Sequence, residues 1–360
     1  MKANTVSQLQ ELVRQQACLL PSGGGTKPAL STPHGERVSL DASGLRGVLA
    51  YQPEEFTFTA LSGTPLLEVE LMLAGHGQYL PFDPVMVERG GTLGGAVAAG
   101  LSGPGRYFSG GLRDFLLGVQ FIDAQGDLVR AGGKVVKNAA GFDLSKFMVG
   151  SLGQYGLLVE LTFKVFPKPG AYLTLVADYD ELEEARQAVI ALSKSPLEIH
   201  ALEMEPGSHG YRVLARLGGP SSALSARFQR LRQMLGRGEQ LPEDQEADTW
   251  RNLREFAWLP TDSALVKIPL IPSLVPDFEK AMRPLAARRH YSVGLNLAWI
   301  AWQEPIEDLE KILYSFKPEA LSGLVITGPP GRTRLGARRG EAFERRIKQA
   351  LDPSGRWAEA

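Results

Sequence analysis

Glycines are concentrated in residues 89–118, where mainly apolar residues separate them instead of the polar residues of a flexible linker. Glycine lets the backbone approach a neighbouring group closely and adopt positive φ angles, at a cost in conformational entropy. Close packing between two chain segments is one reason for such a stretch. Backbone N–H groups that bind a phosphate are another. The stretch therefore predicts a backbone surface fitted against something else, and a phosphate-bearing ligand is the leading hypothesis.

Two further glycine clusters support that hypothesis. Residues 21–27 read Pro-Ser-Gly-Gly-Gly-Thr-Lys, a tight turn whose N–H groups could converge on an anion beside Thr26 and Lys27. A plain glycine-rich turn remains the alternative, and the spacing G-x-x-x-x-G-K-S/T of nucleotide triphosphatases is absent. Gly150, Gly153 and Gly156 recur every three residues. No G-x-G-x-x-G lies between a strand and a helix pattern, which argues against a Rossmann dinucleotide site.

Composition excludes several other classes of protein. The 360 residues are 44% hydrophobic and 22% charged, as in a globular protein large enough for two domains, and the formal net charge of -1 argues against general nucleic-acid binding. The single cysteine, Cys18, excludes an internal disulfide and an iron–sulfur cluster held by this chain alone. No apolar run has the length of a membrane span. We therefore expect a cytoplasmic protein.

The elements that must position the glycine clusters are short. An amphipathic helix is predicted from Val6, and strands are predicted at 38–41, 47–51 and 56–60. Thr64 is expected to cap a helix over 65–74. The small residues of 92–100 predict a short helix whose first N–H groups would form an anion site. A hairpin over 116–130 and a strand over 157–165 complete this half.

The proline-rich residues 167–170 predict a domain boundary. Beyond it, helical and strand patterns alternate in β-α-β-β-α-β order, which is typical of an antiparallel sheet with helices on one face. A last helix is expected over 341–351. The histidines of the second half, His200, His209 and His290, are far apart and lack metal-ligand spacing, so no metal site is predicted.

Three motifs, in residues 21–27, 90–111 and 137–165, together resemble the FAD-linked oxidases of the p-cresol methylhydroxylase/vanillyl-alcohol oxidase type. The runs at 91–95, 109–118, 136–144 and 348–355 are similar to the FAD-binding subunits of bacterial glycolate oxidases. The resemblance implies an α+β fold. A two-subdomain FAD-binding domain (1–168) would be followed by a ferredoxin-like α+β cap domain (169–335), and a C-terminal helix and turn (336–360) would return toward the first domain.

The resemblance also implies a cofactor and its contacts. FAD would be bound noncovalently, because neither glycine loop holds a His or Cys for covalent attachment. Its pyrophosphate would lie on residues 22–26 and 91–95, and its two halves along 102–111 and 150–159. The residues expected to contact it are Ser22, Gly23, Gly24, Gly25, Thr26, Gly91, Thr92, Leu93, Gly94, Gly95, Ser102, Gly103, Gly110, Gly150, Gly153, Gly156 and Val159.

The chain departs from the family in two places. The signature H-x-G-D-G-N-x-H of relatives that oxidise 2-hydroxy acids is absent, and Arg356, Trp357 and Ala358 replace the usual Asn-Pro-Gly near the C-terminus. In these oxidases a 2-hydroxy acid gives hydride to the flavin while a base takes the hydroxyl proton. No catalytic residue is assigned here. The expectation is a glycolate-oxidising complex in which a sister FAD subunit supplies the base.

In that complex this chain would hold a second FAD and pass electrons toward an iron–sulfur subunit, which could place it at the inner membrane through its partners. Two alternatives remain open: a self-sufficient FAD-dependent dehydrogenase for a 2-hydroxy acid or alcohol, and a non-catalytic assembly module with a vestigial FAD site. Candidate side chains for binding a carboxylate are Arg106, Arg113, Lys134 and Lys137, and those for stacking on the flavin are Tyr107, Phe142 and Tyr155. Salt bridges and core packing are the alternative roles.

Overall fold

The computed structural model describes residues 1–33, 35–133, 143–207, 209–285 and 287–359, so the candidates Lys134, Lys137 and Phe142 lie outside the described residues. The helices and strands of the first half are α1 (Val6–Gln15), β1 (Leu19–Ser22), α2 (Pro28–Ser31), β2 (Val38–Asp41), β3 (Val48–Gln52), β4 (Thr57–Leu61), α3 (Leu66–Ala74), β5 (Gln78–Tyr79), α4 (Leu93–Ala99), α5 (Arg106–Ser109), α6 (Leu112–Phe115), β6 (Leu116–Ile122), β7 (Leu128–Gly132), α7 (Leu144–Phe147), β8 (Leu157–Lys164) and β9 (Phe166–Pro167).

A five-stranded antiparallel sheet, ordered β3-β4-β8-β6-β7, supports the first half. One apolar cluster joins this sheet to α3 and α4, and another joins it to α1 and the parallel pair β1-β2. The sheet is therefore packed between two layers. The predicted cap at Thr64 is wrong: Pro65 occupies the N-cap position, and the Thr64 hydroxyl bonds to the backbone of Gly47 instead.

The second half is built on a nine-stranded sheet in the described chain, ordered β13-β10-β12-β11-β15-β16-β14-β17-β18. Its elements are β10 (Ala171–Tyr179), α8 (Leu182–Ser193), β11 (Ile199–Gly207), β12 (Gly210–Gly219), α9 (Ser221–Leu235), β13 (Glu239–Gln240), α10 (Glu243–Arg254), β14 (Ala264–Pro269), α11 (Val275–Met282), β15 (Arg289–Ser292), β16 (Leu297–Trp302), α12 (Ile306–Ser315), β17 (Ser322–Thr327), β18 (Arg334–Gly336) and α13 (Glu341–Leu351).

This sheet consists of two β-α-β-β-α-β units that meet edge to edge. β10 to β13 form one unit and β14 to β17 the other, and the second strands of the two units, β11 and β15, pair at Met204 and Tyr291. Every pairing is antiparallel, and α8, α9, α11 and α12 cover one face through a single apolar cluster. The predicted ferredoxin-like α+β architecture is confirmed, in duplicate.

The opposite face of this sheet turns toward the first half. Leu265, Leu297 and Trp299 pack there with Met86 and Leu101 in one buried cluster. The C-terminus also returns to the first half, because Leu19 on β1 donates its N–H to Arg356 and accepts one from Ala358, at 2.8 Å each. In the described part of the chain, no helix is both long and apolar enough to span a bilayer.

Candidate functional site

The loop after β1 presents a row of free backbone donors. The N–H groups of Gly23, Gly24, Gly25, Thr26 and Lys27 have no acceptor among the described residues. β1 ends at Ser22, whose carbonyl accepts the N–H of Ala42 at 2.9 Å, and α2 begins with Pro28. Consecutive unsatisfied N–H groups fixed between two elements form a concave anion site. The turn that the sequence predicted here thus carries unpaired backbone donors, and their convergence on an anion remains a prediction.

Lys27 adds a buried cation to that loop. Its side chain lines the cleft beside the glycines, and its ammonium donates to the Thr26 hydroxyl at 3.1 Å. Burial lowers the pKa of Lys27 to about 8, although the nearby Glu255 carboxylate opposes the shift. Glu255 accepts the N–H of Val87 at 2.7 Å through Oε1. Lys27 was not among the predicted contacts, although the run Gly-Gly-Gly-Thr-Lys was the available signal.

The cleft consists of two adjoining hollows that share Gly23, Thr92, Gly95 and Gly153. Three chain segments that are distant in sequence contribute the predicted residues of its lining. The predicted residues that line it are Ser22, Gly23, Gly24, Gly25, Thr26, Thr92, Gly94, Gly95, Gly153 and Gly156. Ser151 lines it as well, and its buried hydroxyl has no hydrogen-bond partner in the described structure. A buried polar atom without a partner is costly unless a ligand or water satisfies it. The Ser151 hydroxyl therefore gives the cleft a further unsatisfied polar group, in the same lining as Ser22 and Gly23.

The helix α4 reaches the cleft, but not with free N–H groups. Leu93 donates to the Thr64 carbonyl at 3.0 Å and Gly94 to the Ser62 carbonyl at 2.7 Å, while the Thr92 hydroxyl caps Gly95 at 3.3 Å. The prediction that the first N–H groups of this helix form an anion site is therefore wrong, because those groups are already bonded within the protein. Carbonyls of the turn after β4 accept the N–H groups of Leu93 and Gly94, since α4 packs directly against that turn.

The two adjacent glycines of α4 have different reasons to be glycine. A Cβ at Gly94 would lie 2.8 Å from the Ser62 Cβ and 2.9 Å from its carbonyl oxygen. Among the described residues, a Cβ at Gly95 would meet only the Thr92 hydroxyl, at 3.1 Å, and would otherwise project into the cleft. Gly94 is thus required by packing within the protein. Gly95 keeps the cleft wall free of a side chain.

Several predicted contacts lie outside the lining of this cleft: Gly91, Leu93, Ser102, Gly103, Gly110, Gly150 and Val159. Ser102 accepts the N–H of Leu112 at 3.1 Å, and the N–H of Gly103 goes to the Asp83 carbonyl at 2.5 Å. These two residues shape the segment between α4 and α6. Their contact with a cofactor remains a prediction.

The candidate side chains for substrate or flavin contacts have different surroundings. Tyr107 packs onto the second half, where a Cβ at Gly294 would lie 2.8 Å from its ring, and Tyr155 lies against Phe147 with ring centroids 4.7 Å apart. The Arg106 guanidinium has no hydrogen bond or ion pair among the described residues, and a Cβ at Gly111 would lie 3.6 Å from its Nη2. Arg113 is exposed. The side chains of Arg106 and Arg113 thus both lack a partner among the described residues, and Arg106 is the less exposed of the two.

His290 takes part in a buried ion pair. Its Nε2 lies 2.7 Å from Glu203 Oε2, and Glu203 also accepts bonds from the Ser292 hydroxyl and the Val293 N–H. Against the effect of burial, Glu203 and Glu205 raise the pKa of His290 to about 9. Because the carboxylates hold the imidazole protonated, this cluster stabilises the sheet and offers no free base.

The cleft fits the pyrophosphate of a dinucleotide. Free N–H groups at 23–27, the Lys27 ammonium and the Ser151 hydroxyl are donors suited to phosphate oxygens, and the walls at Gly95 and Gly153 carry no side chains. Bound FAD would supply a hydride acceptor. Fold and cleft together define a flavoprotein with an FAD-binding half and an α+β cap.

Comparison with known proteins identifies the family. A family model described as an FAD binding domain matches residues 1–132. The chain is 35% identical over 274 residues to glycolate oxidase subunit GlcE of Escherichia coli (strain K12), which covers 73% of this chain and 75% of that protein. The chain belongs to the FAD-linked oxidases of the p-cresol methylhydroxylase/vanillyl-alcohol oxidase type. It is an FAD-dependent oxidoreductase, as the resemblance implied.

Other relatives are matched over a smaller share of their length. Glycolate oxidase subunit GlcD of Bacillus subtilis (strain 168) is 31% identical over 57% of this chain, and D-lactate dehydrogenase of Anaerostipes hadrus is 31% identical over 51%. The chain spans only 44% and 38% of those proteins. A solved alkyldihydroxyacetonephosphate synthase matches 98% of this chain and 74% of its own, with a TM-score of 0.70 at 17% identity, which shows the shared fold.

Proposed function

We propose that this chain is the FAD-binding subunit of a complex that oxidises glycolate to glyoxylate. The observation that carries the proposal is the 35% identity to a glycolate oxidase subunit, over 75% of that subunit. The donor-lined cleft supports it, because a dinucleotide cofactor needs such a cradle for its pyrophosphate. Within the complex, FAD serves as the redox group of this chain.

The cofactor is held noncovalently. Its pyrophosphate lies against Gly23, Gly24 and Gly25, with the Lys27 ammonium and the Ser151 hydroxyl as further donors. Support comes from the free N–H groups of the loop and from the orphaned Ser151 oxygen. The domains are residues 1–168 and 169–335, followed by a C-terminal segment of 336–360 whose Arg356 and Ala358 bond to β1.

A sister FAD subunit with the histidine signature removes the hydroxyl proton of glycolate. The present chain relays electrons through a second FAD toward an iron–sulfur subunit. The proposal is supported by the absence of the signature from the sequence and by the carboxylate-bound state of His290. The assembly is cytoplasmic and reaches the inner membrane through partner subunits.

The test is a pair of anaerobic reductions. Purified alone, the chain should show an oxidised flavin spectrum, release FAD on acid precipitation, and bleach slowly with glycolate. With the sister subunit added, its flavin should bleach at the rate of the complex. Rapid bleaching of the isolated chain would instead make it a self-sufficient dehydrogenase. Flavin that stays oxidised in the turning-over complex would refute the relay.

A further inference from the structure

The chain at the end of α10, in the second half, is hydrogen-bonded to a turn of the first half. Residues 254–256 there bond to residues 86–89. At the centre of this contact, Glu255 Oε1 accepts the N–H of Val87 at 2.7 Å and that of Glu88 at 3.2 Å. One carboxylate oxygen of the second half therefore fixes two consecutive backbone groups of the first.

This turn lies directly against the glycine loop of the cleft. A Cβ at Gly24 would overlap the carbonyl of Gly90, so the two backbones are in close contact. Gly90 in turn donates its N–H to the Val87 carbonyl at 3.2 Å. A continuous series of contacts thus runs from Glu255 through the turn to the residue 23–27 loop. Glu255 supports the loop from the side away from the cleft.

Glu255 also has a carboxylate oxygen that is not engaged by the turn. Its side chain is 6% exposed, and its Oε2 is buried without a hydrogen-bond partner in the described structure. Lys27, which ends the supported loop, is likewise 6% exposed, and its ammonium bonds to the Thr26 hydroxyl without an ion pair among the described residues. Two buried groups of opposite charge are therefore each incompletely satisfied in the same region, and a buried charge is unfavourable without a counter-charge.

The other charged groups around Lys27 are remote from the cleft or already paired. Among the described residues, the lining of the cleft includes no charged side chain besides Lys27, and β17, which packs against α2, has no ionisable side chain. On the turn, Glu88 lies 3.6 Å from Arg251, and Arg89 donates to a backbone carbonyl. Burial lowers the pKa of Lys27 to about 8, and the Glu255 carboxylate opposes that fall.

We propose that Glu255 is a positioning residue for the FAD pyrophosphate. Its Oε1 holds the turn that supports the residue 23–27 loop, and its negative charge keeps the Lys27 ammonium protonated for the phosphates. The second half of the chain thereby takes part in cofactor binding without touching the cofactor. The inference rests on the proposed placement of the pyrophosphate beside Lys27 and adds to it a residue from the other half.

The test is the pH dependence of FAD affinity in Glu255→Gln, measured by quenching of flavin fluorescence. The amide oxygen can still accept the N–H groups of Val87 and Glu88, so the substitution removes the charge and retains the turn. The affinity of wild type should begin to fall near pH 8, and that of Glu255→Gln about one pH unit lower. The variant should therefore bind FAD about fivefold more weakly at pH 8, because the protonated fraction of Lys27 falls from about a half to about a tenth, and within about twofold of wild type at pH 6.

Three further variants separate this role from a structural one. Glu255→Asp retains the charge and should retain the wild-type onset near pH 8. Glu243→Gln, at an exposed glutamate on the same helix, is the matched control and should bind FAD as wild type does at both pH values. In a Lys27→Met background, Glu255→Gln should not weaken FAD binding at either pH, because the carboxylate then has no ammonium to act on.

The double variant also cancels any effect of Glu255→Gln on the fold, since that effect is common to both backgrounds. A wild-type pH profile in Glu255→Gln, or equal weakening of FAD binding in both backgrounds, overturns this inference alone. Wild-type FAD affinity in Lys27→Met would instead refute the proposed placement of the pyrophosphate, and the role of Glu255 with it.

Discussion

Replacing Gly95 by alanine should separate cofactor binding from folding. Glycine within a helix is about 0.8–1 kcal/mol less favourable than alanine, so the substitution gains helix stability. The new Cβ would lie 3.1 Å from the Thr92 hydroxyl, which caps the helix by accepting the Gly95 N–H. Loss of such a cap costs about 1 kcal/mol. The two effects nearly cancel, so the apoprotein should keep its unfolding free energy within about 1 kcal/mol.

FAD affinity should respond differently, because the added methyl group projects into the cleft between the residue 23–27 loop and Gly153. We expect the dissociation constant of FAD to rise at least about tenfold, which corresponds to about 1.4 kcal/mol. Quenching of flavin fluorescence on titration of the apoprotein measures the affinity. Urea unfolding of the apoprotein measures the stability.

Gly94→Ala is the control on the adjacent residue. Its Cβ would meet Ser62 at 2.8 Å, and overpacking of this kind costs typically about 1–3 kcal/mol. It should therefore lower the stability of the apoprotein. Wild-type FAD affinity in Gly95→Ala would refute the placement of the cofactor against this wall, and would mean that Gly95 serves only its contact with Thr92.

Three further predictions concern buried charges. Lys27→Met should weaken FAD binding by about 1.5–3 kcal/mol. The FAD affinity of wild type should fall as the pH rises above the Lys27 pKa of about 8, because the neutral amine no longer attracts phosphate. A wild-type affinity that does not change with pH would contradict this. His290→Ala should lower the unfolding free energy by about 3–5 kcal/mol, since it leaves the Glu203 carboxylate buried without its partner. Urea unfolding measures this, and an unfolding free energy equal to that of wild type would disprove the role of the pair. Because folding raises the His290 pKa from 6.5 to about 9, the stability from this pair should be complete below about pH 6.5 and disappear as the pH rises through 9, as urea midpoints across that range would show. Arg254 and Glu70 join α10 to α3 with bonds of 2.7 and 3.0 Å, and a double-mutant cycle should give a coupling of about 1 kcal/mol, whereas zero coupling would show that the pair does not hold the halves together.

Local sequence patterns predicted much of the framework. The turn at 21–27 follows from three consecutive glycines after an apolar segment, and the short helix that begins after Thr92 follows from the small side chains of 92–100. Both depend on residues within a few positions of each other. The family resemblance then supplied the FAD assignment and the two-part architecture, which the comparisons confirmed.

The pattern could not show which backbone donors remain free. The glycines of α4 were expected to present N–H groups, but the carbonyls of Ser62 and Thr64 accept those of Gly94 and Leu93. Such bonds join segments about thirty positions apart, so they depend on how β4 packs against the helix. For the same reason the alternating order of strands predicted an antiparallel sheet without showing that two similar units share it.

The sequence by itself predicted that glycine-rich backbone would form the cofactor site, because the conformational freedom of glycine is a local property. The tertiary structure decided where the charges lie. Lys27 lines the cleft beside that loop because β1 and α2 hold the turn between them. Burial lowers the pKa of Lys27 to about 8, and burial depends on long-range packing that no local spacing encodes.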